Sequence, residues 1–76
     1  MIEEKPDHKS MPALRNRCKN LSEIWRRTVF PVHHSDGYCR LSFQYAPITG
    51  AMKVESVRAI VEWEIAKAEG KLRNVA

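Results

Sequence analysis

The sequence has few of the residues from which several classes of small protein are built. Its 76 residues include two cysteines, Cys18 and Cys39, too few for a disulfide-stapled miniprotein. Its three glycines lie far apart and form no phosphate-binding loop. No apolar run approaches the roughly 18 residues that span a membrane, and no basic segment followed by an apolar one marks a signal peptide. We therefore expect a cytoplasmic protein with reduced thiols.

The overall composition is typical of one small globular domain. Hydrophobic residues make up 43% of the chain and charged residues 29%, unlike a disordered chain. Residues 1–9 are polar and contain Pro6, so we predict a flexible N-terminal arm there. Residues 10–76 then form a single domain whose core is thin, because a chain of this size buries only about 60% of its unfolded surface.

A helical period follows the arm and predicts a first helix over residues 12–27. Pro12 suits its first turn, where a missing N–H costs nothing. Apolar residues spaced three or four apart line up on one face of such a helix. They are Leu14, Cys18, Leu21 and Trp25.

Two strands are predicted next, over residues 28–32 and 38–46, joined by a turn over residues 33–37. Pro31 lacks an N–H, so the first strand is either an edge strand or a short one, and Asp36-Gly37 suits the turn. The second strand alternates between a core face and an open face. The predicted core face carries Cys39, Leu41, Phe43 and Tyr45, and the open face carries Tyr38, Arg40, Ser42 and Gln44.

A second helix is predicted over residues 52–72, with i,i+4 charge pairs Arg58–Glu62 and Glu69–Arg73. A hairpin alone is marginal and needs a cover for its apolar face. We therefore predict an α+β fold, a small two-layer domain ordered helix–strand–strand–helix, with the β-hairpin covered by the two helices. The core stripe of the second helix comprises Val54, Val57, Val61, Ile65, Ala68 and Leu72.

Basic residues concentrate in the first third of the chain, with six basic residues and one acid between residues 8 and 27. Arg15, Lys19 and Arg26 form a stripe beside the apolar face of the first helix. Such a stripe favours phosphates, anionic lipid or an acidic protein face, and the alternative is that the cations only keep the helix surface solvated. The candidate nucleic-acid-binding or anion-binding residues are Arg15, Arg17, Lys19, Arg26, Arg27, Arg40 and Tyr38.

Trp63 lies nearly opposite the core stripe of the second helix, with Ile60 and the Lys67 stem near it. Either the fold buries this tryptophan through an unforeseen contact, or it anchors a partner protein or a second copy, since tryptophan is enriched at interface hot spots. Trp63, Ile60 and Lys67 are therefore the candidate protein-interface residues.

The residues that could carry catalysis or bind a metal have unsuitable spacing. A structural zinc site wants close ligand pairs, whereas Cys18 is far from His33, His34 and Cys39. A nucleophile set built on Cys39 would need a cleft and an oxyanion site. We expect no metal, no cofactor, no small-molecule substrate and no enzymatic activity.

The order of several segments resembles that of the DinI-like family. These segments are residues 21–27, Phe30-Pro31, Gly37, a strand that ends near Tyr45, and a closing helix. Members of this family are small α+β proteins of bacteria and phages that bind the RecA recombinase filament. The family opens with a strand and has an acidic last helix, whereas this chain opens with a polar arm and its last helix is charge-balanced. No functional residue is carried over.

Together these features indicate a small non-enzymatic regulatory binding protein, of the kind that phages and mobile elements encode. Its first expected activity is binding to nucleic acid through the basic helix. The alternative is a protein-binding inhibitor or adaptor of host nucleic-acid machinery, docking through the Trp63 face or the hairpin edge.

Overall fold

A computed structural model describes residues 9–70. They form two helices and a three-stranded antiparallel sheet with strand order β1-β2-β3, which confirms the predicted α+β class and the predicted order of the main elements. The predicted arm lies almost wholly outside the described residues. The elements are α1 (Met11–Trp25), β1 (Val29–Ser35), β2 (Tyr38–Phe43), β3 (Met52–Lys53) and α2 (Val54–Ala68).

Helix α1 ends earlier than predicted, because the backbone reverses at Arg26. This residue adopts a left-handed conformation, with φ 57° and ψ 40°. The N–H of Arg27 donates to the carbonyl of Ser22 at 3.1 Å, which is the 6→1 hydrogen bond of a Schellman motif. Arg26 and Arg27 therefore leave the helix axis and enter the connection to β1.

The predicted turn over residues 33–37 is too long. His33 pairs with Cys39 and Ser35 with Tyr38, with an irregularity between them, so both histidines belong to β1. A two-residue Asp-Gly connection is enough for a hairpin, and Gly37 supplies the positive φ of 81°. β1 has β2 on one side only, as predicted from Pro31.

The second strand ends at Phe43 instead of continuing to Ala46. The N–H of Phe43 donates to the carbonyl of Ala46 at 2.8 Å, which closes a tight turn. Tyr45 is consequently 91% exposed, so its predicted place in the core is wrong. Ser42, predicted on the open face, is only 7% exposed, and its Oγ lies 2.7 and 3.2 Å from the carbonyl oxygens of Phe43 and Ala46 in the turn that follows.

The chain after this turn folds back along β2 and adds a strand that the sequence did not predict. Ile48 and Thr49 N–H groups donate to the Leu41 carbonyl at 2.8 and 3.1 Å. β3 then pairs with the start of β2, with Met52 opposite Cys39. The pairing of Met52 and Lys53 delays the start of α2 to Val54, two residues after the predicted start.

One core joins both helices to the sheet: α1 packs against β1, α2 against β2, and the helices against each other. Four of the six predicted α2 core positions are buried, but Ala68 is exposed and Leu72 lies outside the described residues, as does Arg73 of one predicted charge pair. The core consists of Met11, Leu14, Cys18, Leu21, Val29, Cys39, Leu41, Val54, Val57, Val61 and Ile65.

Candidate functional site

The basic stripe of α1 lies beside the free edge of β1. Arg15 and Lys19 line a groove of about 470 Å³ between the helix and the strand. Its other lining residues include Cys18, Val29 and Pro31, all of which are buried. The groove therefore combines an apolar floor with a cationic rim.

The edge of β1 at this groove is closed to a further strand. The Val29 N–H donates to Ser22 Oγ at 2.8 Å, and Ser22 Oγ lies 3.1 Å from the Val29 carbonyl oxygen. Pro31 has no N–H to offer. Both features blunt a sheet edge against strand addition, so the structure gives no support to docking through the hairpin edge at these residues.

A cluster of aromatic and basic residues lies at the end of α1. The Trp25 and Phe43 rings are 6.0 Å apart between centroids, tilted by 50°. The Arg27 guanidinium lies over the Phe43 ring, with its central carbon 3.8 Å from the centroid. A cation over an aromatic face is attracted by the ring quadrupole, so Arg27 is held in place while remaining exposed.

Beside this cluster is a small cavity of about 220 Å³, which we call the stacking pocket. It is lined by Arg27, Thr28, Phe43, Gln44 and Tyr45. Of these five residues, only Arg27 was among the predicted site residues. The sequence shows the aromatic and polar residues 43–45, but it does not show that the early turn after Phe43 places them next to the end of α1.

Arg26 is exposed and is the one non-glycine residue with positive φ within residues 9–70. The left-handed conformation costs an ordinary residue about 1–2 kcal/mol, and glycine is the usual choice at such helix ends. An arginine here sacrifices stability and presents a cation at the junction of α1 with the stacking pocket.

Arg17, by contrast, is engaged within the fold. Its Nε and Nη2 donate to Glu62 Oε2 and Oε1 at 2.6 and 2.8 Å, joining α1 to α2. The hydrogen bond from Arg17 holds the pKa of Glu62 below its ordinary value, and the same bond raises the pKa of Arg17. The structure thus separates Arg17 from the other predicted cations.

Arg40 and Tyr38 lie on the sheet face opposite the helices. Their neighbours in β2, Cys39 and Leu41, point into the core, and successive strand residues point to opposite sides. Arg40 is half-buried and faces Val32 across the strands. The structure therefore does not bring these two residues into the groove beside α1.

The fold does not bury Trp63, whose side chain is 51% exposed. Lys67 Nζ lies 4.6 Å from the centre of the indole ring. Ile60, half-buried, packs against the core. The described residues therefore leave about half of Trp63 exposed, and its role as an interface anchor stays a prediction.

The candidate metal and nucleophile residues are divided between the surface and the core. Within residues 9–70, no group of three or more His, Cys, Asp or Glu side chains could hold a metal ion. His33 and His34 are exposed, whereas Cys18 and Cys39 are buried free thiols. Burial, with a smaller effect of Cys39, raises the pKa of the Cys18 thiol to about 11, so Cys18 stays protonated at neutral pH.

Charge differs between the two helices. Helix α1 and the two residues after it carry five cations and one acid, whereas α2 carries three acids and two cations. Glu62, one of these acids, pairs with Arg17. The exposed cations Arg15, Lys19, Arg26 and Arg27 form what we call the basic surface.

No helix in the described part of the chain is long and apolar enough to cross a membrane. No family model matches the sequence, and no curated protein or solved structure matches it significantly. The resemblance to the DinI-like family stays a prediction.

Proposed function

We propose that this protein binds nucleic acid through the basic surface, as a small non-enzymatic regulatory protein. The observation that carries this proposal is the clustering of exposed cations on one flank of α1 and at its end. Arg15 and Lys19, four residues apart, lie on one flank of α1, and Arg26 follows the last residue of the helix. Cations of this kind contact successive phosphates without reading bases.

Two further features support a role for this surface. Arg17 of α1 pairs with Glu62 on α2, whereas the side chains of Lys19 and Arg26 are exposed to solvent. Arg26 also occupies a backbone conformation that would favour glycine, and strain of this kind concentrates at functional sites. Retaining arginine there gains charge at the cost of stability.

The salt dependence of binding tests the proposal. The probe is a fluorescently labelled DNA, with anisotropy measured between about 50 and 200 mM salt, because each phosphate contact releases counterions and steepens the dependence. The variant Lys19→Gln/Arg26→Gln removes two cations of the basic surface. Its matched control, Arg58→Gln/Lys67→Gln, removes the same charge from α2.

We expect the Lys19→Gln/Arg26→Gln variant to bind more weakly at every salt concentration and to lower the slope of log K against log salt by about two. The control should keep nearly the wild-type slope. Equal slopes in both variants would mean that only net charge attracts DNA, and the basic surface would not be a site. Circular dichroism of both variants should show unchanged helix content.

A second candidate function is favoured by the half-exposed indole of Trp63. A protein-binding inhibitor or adaptor would dock on Trp63, Ile60 and Lys67, with the tryptophan as hot spot. An affinity capture experiment separates the two functions. Wild type, Trp63→Ala and Lys19→Gln/Arg26→Gln are each used to capture partner proteins from nuclease-treated bacterial lysate. A protein retained by the Lys19→Gln/Arg26→Gln variant and lost by Trp63→Ala would support the adaptor.

A further inference from the structure

We propose that the stacking pocket holds one unpaired base, and hence that the nucleic acid bound by this protein is single-stranded. This inference rests on the proposed function and adds the class of its ligand. Phosphates flanking the base would contact Arg27, which lines the pocket, and Arg26, the residue before it in the chain. Exposed aromatic rings beside cations are how proteins hold single strands, since every base has a face that can stack.

Tyr45 is the residue whose placement suggests this role. Its side chain is 91% exposed, so the ring stabilises the fold very little. The backbone that carries it is held by hydrogen bonds: the Phe43 N–H donates to the Ala46 carbonyl at 2.8 Å, and Ser42 Oγ lies 3.2 Å from the same carbonyl oxygen. The turn therefore fixes the backbone at Tyr45 and leaves its ring exposed to solvent.

Arg27 and Phe43, which also line the pocket, are already stacked on each other. The Arg27 guanidinium lies 3.8 Å from the Phe43 centroid, and the Trp25 ring packs against Phe43. A planar guanidinium stacked on one face of a ring can also stack on a base and bind its phosphate. Because it is already held over Phe43, little of its side-chain entropy would be lost on binding.

Size and polarity favour a single base over a duplex. The pocket is small, about 220 Å³, and is lined by Thr28 and Gln44 in addition to Arg27, Phe43 and Tyr45. Hydroxyl and amide groups can donate to and accept from a base edge. In a duplex the faces of the bases are covered by their neighbours, so only an unpaired base can enter.

The test compares four probes of equal length, about 12 nucleotides, within the site sizes of single-strand binders. They are oligo-dT, the corresponding oligo-rU, an abasic strand with the same phosphates, and a duplex. Each is titrated against wild type, Tyr45→Ala, Tyr45→Phe and Lys19→Gln/Arg26→Gln at low salt. Tyr45→Phe is the matched control because it keeps the ring.

We expect wild type to bind oligo-dT and oligo-rU more tightly than the abasic strand or the duplex. Tyr45→Ala should weaken binding of oligo-dT and oligo-rU by about 5- to 100-fold and leave binding of the abasic strand unchanged. Tyr45→Phe should stay within about twofold of wild type, since the stacking face is retained. Upfield shifts of the Tyr45 ring protons on adding oligo-dT would report the stacked base directly.

Other outcomes overturn the inference in distinguishable ways. If Tyr45→Ala binds every probe like wild type while the Lys19→Gln/Arg26→Gln variant is weaker, the base site is wrong and the basic surface stands. Tighter binding of the duplex than of oligo-dT would have the same meaning. Failure of wild type to bind any of the probes would overturn both the site and the proposed function.

Discussion

Arg26 is expected to lower the stability of the fold and to strengthen DNA binding. Glycine adopts the left-handed conformation without a Cβ clash, so we expect Arg26→Gly to raise the free energy of unfolding by about 0.5–1 kcal/mol. The same change should weaken DNA binding, because it removes a cation of the basic surface. Denaturant titration and anisotropy measure the two effects.

Arg26→Ala is the control, because it removes the charge and keeps the strain. It should bind DNA as weakly as Arg26→Gly but gain no stability. If Arg26→Gly leaves DNA binding at the wild-type level, the strain at this position has another cause.

The two tryptophans should differ in their contribution to folding. Trp63→Ala should lower the free energy of unfolding by less than about 1 kcal/mol, as for most exposed positions. Trp25→Ala should cost about 2–3 kcal/mol, since its ring packs against Phe43 and the core, although it is not wholly buried. Thermal unfolding compares them, and a large loss in Trp63→Ala would contradict the exposed placement.

The cysteines give a test of the core. Because the pKa of Cys18 is raised to about 11 by burial and that of Cys39 is raised for the same reason, thiolate is scarce in the folded state. We expect both thiols to react slowly with a chromogenic disulfide at about pH 8, where an ordinary thiol reacts readily. Unfolding in guanidinium should make both thiols react rapidly. The variants Cys18→Ala and Cys39→Ala show which thiol gives each reaction phase.

At the scale of elements, Ser22 is the residue that joins α1 to β1. Its hydroxyl accepts from the Val29 N–H and lies 2.8 Å from the Cys18 carbonyl oxygen. Ser22→Ala should leave the Val29 groups without a side-chain partner and cost about 1 kcal/mol, after a small gain in helix propensity. Chemical denaturation measures the loss, and faster amide exchange at Val29 locates it.

Ser35→Ala provides the matched control for Ser22. Ser35 is an exposed serine at the far end of the same strand, so its removal should be close to neutral. Similar effects of the two changes would show that the hydroxyl of Ser22 does not hold the strand edge.

At the scale of the whole molecule, the Arg17–Glu62 pair links the helices and predicts an acid sensitivity. The pKa of Glu62 is lowered in the folded state by Arg17. A lowered carboxyl pKa contributes stability at neutral pH, and this stability is lost as pH falls below the ordinary value of about 4.5 towards the folded pKa. The pair is partly exposed, so salt should weaken its effect.

We expect Glu62→Gln to lower stability at neutral pH and to flatten the decline of stability in acid. Urea unfolding between neutral pH and about pH 3 measures both, since the carboxyl titrates in that range. Glu23→Gln, at an exposed position of α1, is the control. An unchanged acid profile in Glu62→Gln would show that the ion pair contributes nothing to folding.

The sequence by itself determined the features that depend on neighbours along the chain. The three- and four-residue spacing of Leu14, Cys18 and Leu21 specified the buried face of α1, and the same rule specified the first four core residues of α2. Asp36-Gly37 marked the hairpin and Pro31 its edge strand. These predictions succeeded because helix periodicity, turn chemistry and proline geometry act over a few residues.

Only the tertiary structure decided the features that depend on contacts between distant segments. The turn after Phe43 and the pairing of Met52 with Cys39 removed Tyr45 from the core and shortened the second strand. Packing of α1 against α2 joined Arg17 to Glu62 and so separated one arginine from its sequence neighbours. The stacking pocket arises where residues near 27 meet residues near 44, and this meeting follows from the β1–β2 register, which pairs Val29 with Phe43. The turn alone would continue the Ser35–Tyr38 pairing and place Val29 opposite Gln44, but the irregularity between His33 and Ser35 shifts the register by one residue. The sequence did not predict this shift, because it depends on the pairing of two separate strands.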